Sequence, residues 1–358
     1  MQSKPAIADK LKIGLQSAWY KRGPLSFLIS FLLWPLSQVY RFLAFVHRQL
    51  YQFGILQVNK ISVPVVVVGN IVVGGGGKTP TVIALVRHLQ AQGIQVGVIS
   101  RGYGRTNDEC LEVKKDSKIS DVGDEPAGIL LAFDLISCSA PVFVANSRFE
   151  AAMALLNTYP ATQVIISDDG LQHHALQHDI AITVFDDRGI GNGLMLPAGP
   201  LRESKVKSLN SLVLHTGNQS AKLTNTAAPQ FTARRALTSY AIRSDSSKVN
   251  FGELKEKKNL LALAGIANPE AFFSMLRGAG LNLSKTAALP DHYDFNYTFD
   301  STLGNEYGDY TLICTLKDAV KLWQTHPDAL AVPLAFSPET AFFTAFDGML
   351  KPLLETMR

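Results

Sequence analysis

Apolar and polar positions along the chain fall into runs whose order sets out a fold. Ser62 to Asn70, SVPVVVVGN, is a β-branched block without polar alternation, the pattern of a strand covered on both faces of a parallel sheet. A glycine loop follows it. From Thr81 to Gln90 the apolar residues Val82, Leu85, Val86 and Leu89 then return at helical spacing. Val96 to Arg105, VGVISRGYGR, ends a second strand, and Thr162 to Asp169, TQVIISDD, is an apolar strand ending in two acids. Further on, LLALAGIANPEAFFSMLRGAG reads as strand, turn and helix, with Asn268 or Pro269 at the helix start and Gly278 or Gly280 at its end. YTLICTLKDAVKLW repeats that order. The alternation over residues 61–216 predicts a doubly wound α/β domain with a mainly parallel sheet. Residues 217–258 are polar and interrupted around the strand-like FTARRALTSYAI, which predicts a connecting segment before a smaller α/β domain at 259–358.

Residues 1–60 follow a different pattern. Between Arg22 and Arg41 lie eighteen residues without a charge, opening with an apolar stretch from Leu25 to Leu36. Pro24, Pro35, Ser26, Ser30, Ser37 and Gln38 interrupt it too often for a clean membrane span. The stretch gives way to Trp34, Pro35, Gln38, Tyr40 and Arg41 rather than to a small-residue cleavage site, so a removable leader is not expected. Beyond Pro35, Gln38, Arg41 and Arg48 share one helical face while Val39, Phe42, Leu43 and Val46 take the other; Trp19, Tyr20, Trp34 and Tyr40 are interface-type residues. We read a membrane-associating helix lying in a bilayer surface. The alternatives are a single amino-terminal anchor that spans the bilayer and an amphipathic helix docked on its own domain, since periodicity does not say what covers the apolar side.

Charge sharpens this division. The first 60 residues carry eight bases against the single acid Asp9, a net +7, whereas the remaining 298 hold 26 bases and 29 acids. A total of +4 does not imply nucleic acid. The three cysteines, Cys110, Cys138 and Cys314, are an odd number with no CxxC spacing, which supports neither a disulfide framework nor a zinc ribbon and fits a reducing, cytoplasmic compartment. No obligate protein partner is implied.

The loop after the first strand carries the clearest chemistry. VGGGGKTP, Val73 to Pro80, sits between strand and helix as a P-loop does. Backbone amides converge on phosphate oxygens only where side chains do not block them, which Gly74, Gly75, Gly76 and Gly77 allow, and the helix terminus adds positive dipole. Lys78 would reach the β and γ phosphates, the Thr79 hydroxyl would ligate magnesium, and Pro80 removes an amide that the first turn does not need. The loop is a variant, because Val72 stands where GxxxxGK[ST] places its first glycine.

Carboxylates cluster in two other segments. TQVIISDD has the form of a Walker B strand, with Asp168 the better metal candidate; GDEP places Asp124 and Glu125 before an apolar run, where Asp124 could equally be a helix cap. SRGYGR sets Arg101, Tyr103 and Arg105 among glycines, either a loop that holds an anionic or nucleotide group or a surface turn. His173 and His174 are adjacent and so poorly spaced for zinc.

Together these segments resemble the tetraacyldisaccharide 4'-kinases, the lipid A 4'-kinases. The resemblance is collinear through VPVVVVGNIVVGGGGKTP, SRGYGR, VGDEP, ANSRFEA, DDGLQHH, GNGLMLPAGPLRE, AGIANPEAFF, LPDHYDF and TLKDAVKL. Two departures stand out: Gly76 replaces a larger polar residue, and Leu316 an acid. The resemblance implies a P-loop core with a smaller carboxyl-terminal domain, ATP and magnesium, a lipid A precursor glycolipid as substrate, and action at the cytoplasmic face of the inner membrane. It also implies Asp124 as the base for the sugar hydroxyl, His292 of LPDHYDF as the partner that tunes it, and Thr79, Glu125 and Asp168 as the magnesium neighbourhood. It leaves open the roles of Arg101, Arg148, Asp169, His173, Lys317 and Asp318. Two other readings fit the P-loop alone: a membrane-associated ATPase or GTPase switch, and a tethered nucleotide sensor without turnover.

Overall fold

The computed structural model describes residues 7–21, 23–74, 76–203, 211–217, 226–266, 268–290, 293, 295 and 309–356, with side chains from residue 14 onward. Two helices open the chain, α1 (Ile7–Tyr20) and α2 (Pro24–Gln52). The larger lobe then runs β1 (Val65–Gly69), α3 (Lys78–Ala91), β2 (Val96–Ser100), β3 (Leu111–Glu112), α4 (Ile119–Val122), α5 (Asp124–Leu135), β4 (Val142–Val144), α6 (Arg148–Thr158), β5 (Val164–Asp168), β6 (Ile180–Phe185), β7 (Ser211–His215) and β8 (Gln230–Leu237). The smaller lobe holds β9 (Tyr240–Ile242), β10 (Lys248–Asn250), α7 (Phe251–Lys255), β11 (Leu260–Ala264), α8 (Pro269–Gly278), β12 (Leu283–Ala288), β13 (Thr311–Thr315), α9 (Leu316–Leu322) and β14 (Leu330–Val332). The chain ends with β15 (Leu334–Pro338) and α10 (Thr340–Glu355).

Nine strands form the first sheet in the order β15-β8-β7-β6-β1-β5-β2-β4-β3, parallel except for the edge pairs β15 with β8 and β3 with β4. Because β1 lies between β5 and β6 and the chain moves out from it to both sides, the crevice at its carboxyl end is a topological switch point. The unalternating valines of β1 are explained by cover on both faces. Val66 and Val68 pack with Val82, Leu85 and Leu89 of α3, while Val65 and Val67 pack with Ala151, Ala152 and Leu155 of α6. Six strands form the second sheet, β10-β9-β14-β13-β11-β12, parallel among β11 to β14 and antiparallel at β9 and β10.

The chain crosses between the sheets twice, at Thr238 and at Pro333, and the two crossings touch: the Thr238 amide donates to the Pro333 carbonyl at 3.2 Å. Of the residues read as a connector, β8 is thus a strand of the larger sheet, and from Leu334 onward the chain returns to it. Phe342, Phe346 and Leu350 of α10 are buried in the core beneath α3, and His88 of α3 stacks on Phe343 at 4.2 Å with Nε2 2.8 Å from Asp347. Chain proximity groups α10 with the smaller lobe; the apolar face that it buries groups it with the P-loop helix.

Helix α2 runs unbroken through Pro35 and docks by its small polar positions. Ser37 donates to the Met195 carbonyl at 2.9 Å, Asn192 donates to Ser30 Oγ at 3.0 Å, and Tyr40 donates to the Arg202 carbonyl at 3.3 Å. Its large apolar side chains point away, with Leu25, Phe27, Phe31, Leu32 and Phe42 each more than 60% exposed. The docked soluble helix considered above would do the reverse. Among the described residues this is the one helix long and apolar enough to cross a membrane.

Candidate active site

The phosphate loop is shaped from behind. Asn70, fully buried where β1 ends, accepts from the Val72 amide at 2.8 Å and donates to the Gly74 carbonyl at 3.4 Å. Val72 is buried because it bridges antiparallel to Leu201, and the Val73 amide donates to the Pro200 carbonyl at 2.9 Å. The missing first glycine is therefore the place where residues 194–202 latch the loop. Gly76 has a similar reason: a Cβ there would lie 2.9 Å from the Asp186 backbone nitrogen. Gly77, at φ 100°, caps α3 with no side-chain hydrogen bond, and a Cβ on it would run into the Arg235 guanidinium. The first amides of α3 are thus left to an anion. Lys78 is its first residue and 7% exposed; half-buried Thr79 and Pro80 complete the opening turn. Gly75 lies outside the described residues.

Strand β5 runs beside β1 with Val68 opposite Asp168, which brings the two acids to the loop. They have opposite environments. Neither oxygen of Asp168 has a hydrogen-bond partner among the described residues, and burial, reinforced by the Glu125 charge, pushes its pKa up to about 7 against the pull of Lys78. Asp169, at φ 48°, turns to Lys78 (3.5 Å) and Arg202 (3.3 Å). Burial acts to raise its pKa, but Lys78, Arg202 and Arg148 outweigh that and hold it below the usual carboxylate range. Buried Arg148 donates to the carbonyls of Asp168 at 3.3 Å and Asp169 at 2.6 Å, holding the strand end from outside. His173 is pushed down to about 4 by burial, then by Arg148 and Arg101, so its ring is neutral at pH 7.

The other acids come from the turn into α5. Gly123 (φ 90°) is the N-cap there, and Asp124 is the first helical residue, so the helix-cap alternative for Asp124 does not hold. Gly102 and Gly123 pack backbone against backbone: a Cβ on Gly102 would lie 2.6 Å from the Val122 carbonyl oxygen. That contact ties SRGYGR to GDEP, with Tyr103 66% exposed and Arg101 exposed. Asp124 is 4% exposed, and its Oδ2 lies 3.0 Å from Lys321 Nζ of α9. Lys321 also donates to the Tyr293 carbonyl at 3.3 Å. His292 lies outside the described residues. Asp318 has a local task, accepting from the Gly265 amide at 3.1 Å and the Thr315 hydroxyl at 2.6 Å.

Asp168, Glu125 and Thr79 offer hard oxygen donors, and the unpartnered oxygens of Asp168 suit a small divalent cation such as magnesium. Among the described residues no group of three or more His, Cys, Asp or Glu could hold a metal, so phosphate oxygens and water would complete the shell. Sequence reasoning assigned no role to Asn70, Arg202, Arg235 or Lys321. The only signal for Lys321 was its place one helical turn after Asp318, and that for Asn70 its place at the end of the first strand, just before the glycine loop; Arg202 and Arg235 gave none, because only tertiary packing brings them to the loop.

Similarity to known proteins matches this geometry. The model of the tetraacyldisaccharide-1-P 4'-kinase family matches residues 29–351. The chain belongs to this family. It is 51% identical to the tetraacyldisaccharide 4'-kinase of Polaromonas naphthalenivorans over 355 residues, 97% of each chain. With the kinase of Herminiimonas arsenicoxydans it shares 41% identity over 347 residues, covering 90% of this chain and 91% of that one. A crystal structure of LpxK from Aquifex aeolicus in complex with ATP superposes with a TM-score of 0.72 at 27% identity, covering 92% of this chain and 99% of that one. A P-loop kinase fold with a large, mostly parallel sheet is common to the tetraacyldisaccharide 4'-kinases and this chain.

Proposed function

We propose that the protein transfers the γ-phosphoryl group of ATP to the 4'-hydroxyl of a tetraacyldisaccharide 1-phosphate, the lipid A precursor, giving the 1,4'-bisphosphate. The observation that carries this reading, in a chain of this family, is the uncapped glycine cradle with Lys78 at its end beside the buried, unpartnered Asp168.

Gly74, Gly75, Gly76, Gly77 and Pro80 form the cradle, and Lys78 neutralises charge between the β and γ phosphates. Thr79, Glu125 and Asp168 would hold magnesium, which when bound offsets phosphate charge. Asp124 takes the proton of the 4'-hydroxyl as that oxygen bonds to the γ phosphorus, and the bond from phosphorus to the β-bridging oxygen breaks with its electrons leaving on ADP. His292 is the partner that orients Asp124, and Tyr103, exposed on its glycine loop, meets the nucleotide. Positioning and charge neutralisation supply most of the rate in such transfers. The exposed apolar side of α2 with the basic amino-terminal segment seats the enzyme on the cytoplasmic face of the inner membrane, where ATP and the glycolipid meet.

The test is incubation of purified protein with labelled ATP, magnesium and the disaccharide monophosphate in detergent micelles. Label transferred to the lipid at the 4' position is the expected result. Folded protein that hydrolyses ATP without labelling lipid would overturn it in favour of a nucleotide switch.

A further inference from the structure

Asp124 does not stand alone in the cleft. Its carboxylate is 4% exposed, and a buried anion at a helix start needs a cation or several donors to offset its lost hydration. The smaller lobe supplies one. Lys321 Nζ lies 3.0 Å from Asp124 Oδ2 and 3.3 Å from the Tyr293 carbonyl, two acceptors on different lobes shared by one ammonium. The side chain is 18% exposed, so solvent screens the pair weakly.

The lysine is held in place from behind. Thr315 caps α9 by accepting from the Asp318 amide at 3.2 Å, and the Asp318 carboxylate reaches back to the Gly265 amide at 3.1 Å. These bonds fix α9 to the end of β11. At the far end of α5, Leu135 packs against the second-lobe cluster of Ile242, Leu261 and Leu263, so α5 lies along the smaller lobe. Helix α9 therefore presents Lys321 to the first residue of α5 as a consequence of how the lobes dock.

We propose that Lys321 is a positioning residue for phosphoryl transfer: it holds the Asp124 carboxylate in the orientation that receives the acceptor hydroxyl and ties it to the segment containing Tyr293. This rests on Asp124 being the base. It assigns a task to TLKDAVKL, in which Asp318 builds the helix start and Lys321 reaches the chemistry. The smaller lobe thus takes part in the reaction through an ammonium group.

The experiment uses the full chain in micelles with ATP and the disaccharide monophosphate. Lys321→Met is expected to lower kcat about 10²-fold, the cost of a misplaced catalytic group, with the KM for ATP unchanged and the melting temperature lowered, because the buried Asp124 carboxylate loses its cation. Ethylammonium is expected to restore part of the activity of Lys321→Ala, a readout that packing alone would not move. On an Asp124→Asn background, Lys321→Met is expected to cause no further loss, because the two act as a unit. Wild-type kcat in Lys321→Met, or a full additional loss on the Asp124→Asn background, overturns the inference. Should Lys321→Met fail to fold, Lys321→Gln, polar but uncharged and one atom shorter, is judged by the same kcat criteria. Full activity of Asp124→Asn would refute the base itself; an inactive Asp124→Asn beside an unaffected Lys321→Met refutes only the lysine.

Discussion

Both lobes are built from strand, turn and helix, yet they start their helices differently. In the larger lobe the turns into α3 and α5 end in Gly77 and Gly123, both at positive φ, and neither helix has a side-chain cap. In the smaller lobe Asn268 accepts from the Ala271 amide at 3.2 Å, and Thr315 accepts from the Asp318 amide at 3.2 Å. A capped terminus has already used an amide; an uncapped one keeps its amides and dipole for an anion or a reacting group. The strand, turn and helix unit is common to the two lobes, and what sets α3 and α5 apart is a glycine cap at positive φ; α4, α7 and α10 also lack a side-chain cap bond but start from Lys118, Asn250 and Glu339 at negative φ. Ser147, which caps α6 within the larger lobe, agrees, because α6 starts beyond β4 rather than at the β1 crevice.

The largest effect is expected at the uncapped start of α5. Asp124→Ala should lower turnover about 10²- to 10⁴-fold, the usual range for removing a general base, with little change in ATP affinity measured by calorimetry. Lys78→Ala at the start of α3 should instead damage both turnover and ATP affinity, and a variant that lost only one would separate binding from charge neutralisation. Gly77→Ala asks whether the left-handed cap itself matters. Strain of about 1–3 kcal/mol, besides the clash with Arg235, should weaken ATP binding and lower the melting temperature together. Asn268→Ala is the counterpart: a loss of about 1 kcal/mol in thermal unfolding, with ATP affinity untouched. If Asn268→Ala weakened ATP binding while Gly77→Ala did not, the contrast between capped and uncapped turns would be wrong.

The smallest effect concerns acid stability. His173 has a folded pKa of about 4 against an ordinary 6.5, so between those values the unfolded chain binds the proton more readily than the folded one. Stability should fall as pH drops through that window. His173→Gln should flatten the slope there and leave stability above pH 7 nearly unchanged, as denaturant melts at several pH values would report.

The glycine cradle, the strand before it and the helix after it were legible in the chain because each is a local pattern: β-branched residues for a doubly covered strand, missing side chains for amides that must approach phosphate, helical spacing for α3. Asn268 was legible as a cap for the same reason. The positions of β8 and α10 were not. Their apolar faces fit either sheet by pattern, and pairing with β15 and packing beneath α3 decided between them.

The sequence by itself determined the glycine loop between strand and helix, the acids at the strand end, the basic apolar amino terminus and the family. Tertiary structure alone decided that Asp168 finds no hydrogen-bond partner among the described residues while its neighbour Asp169 pairs with Lys78 and Arg202, that α2 docks by its serines with its apolar side outward, and that Lys321 meets Asp124. The physical reason is range. Backbone conformation and amphipathicity are set by residues within a few positions of one another, whereas burial, charge pairing and the direction a carboxylate faces are set by atoms that come together only when distant strands do.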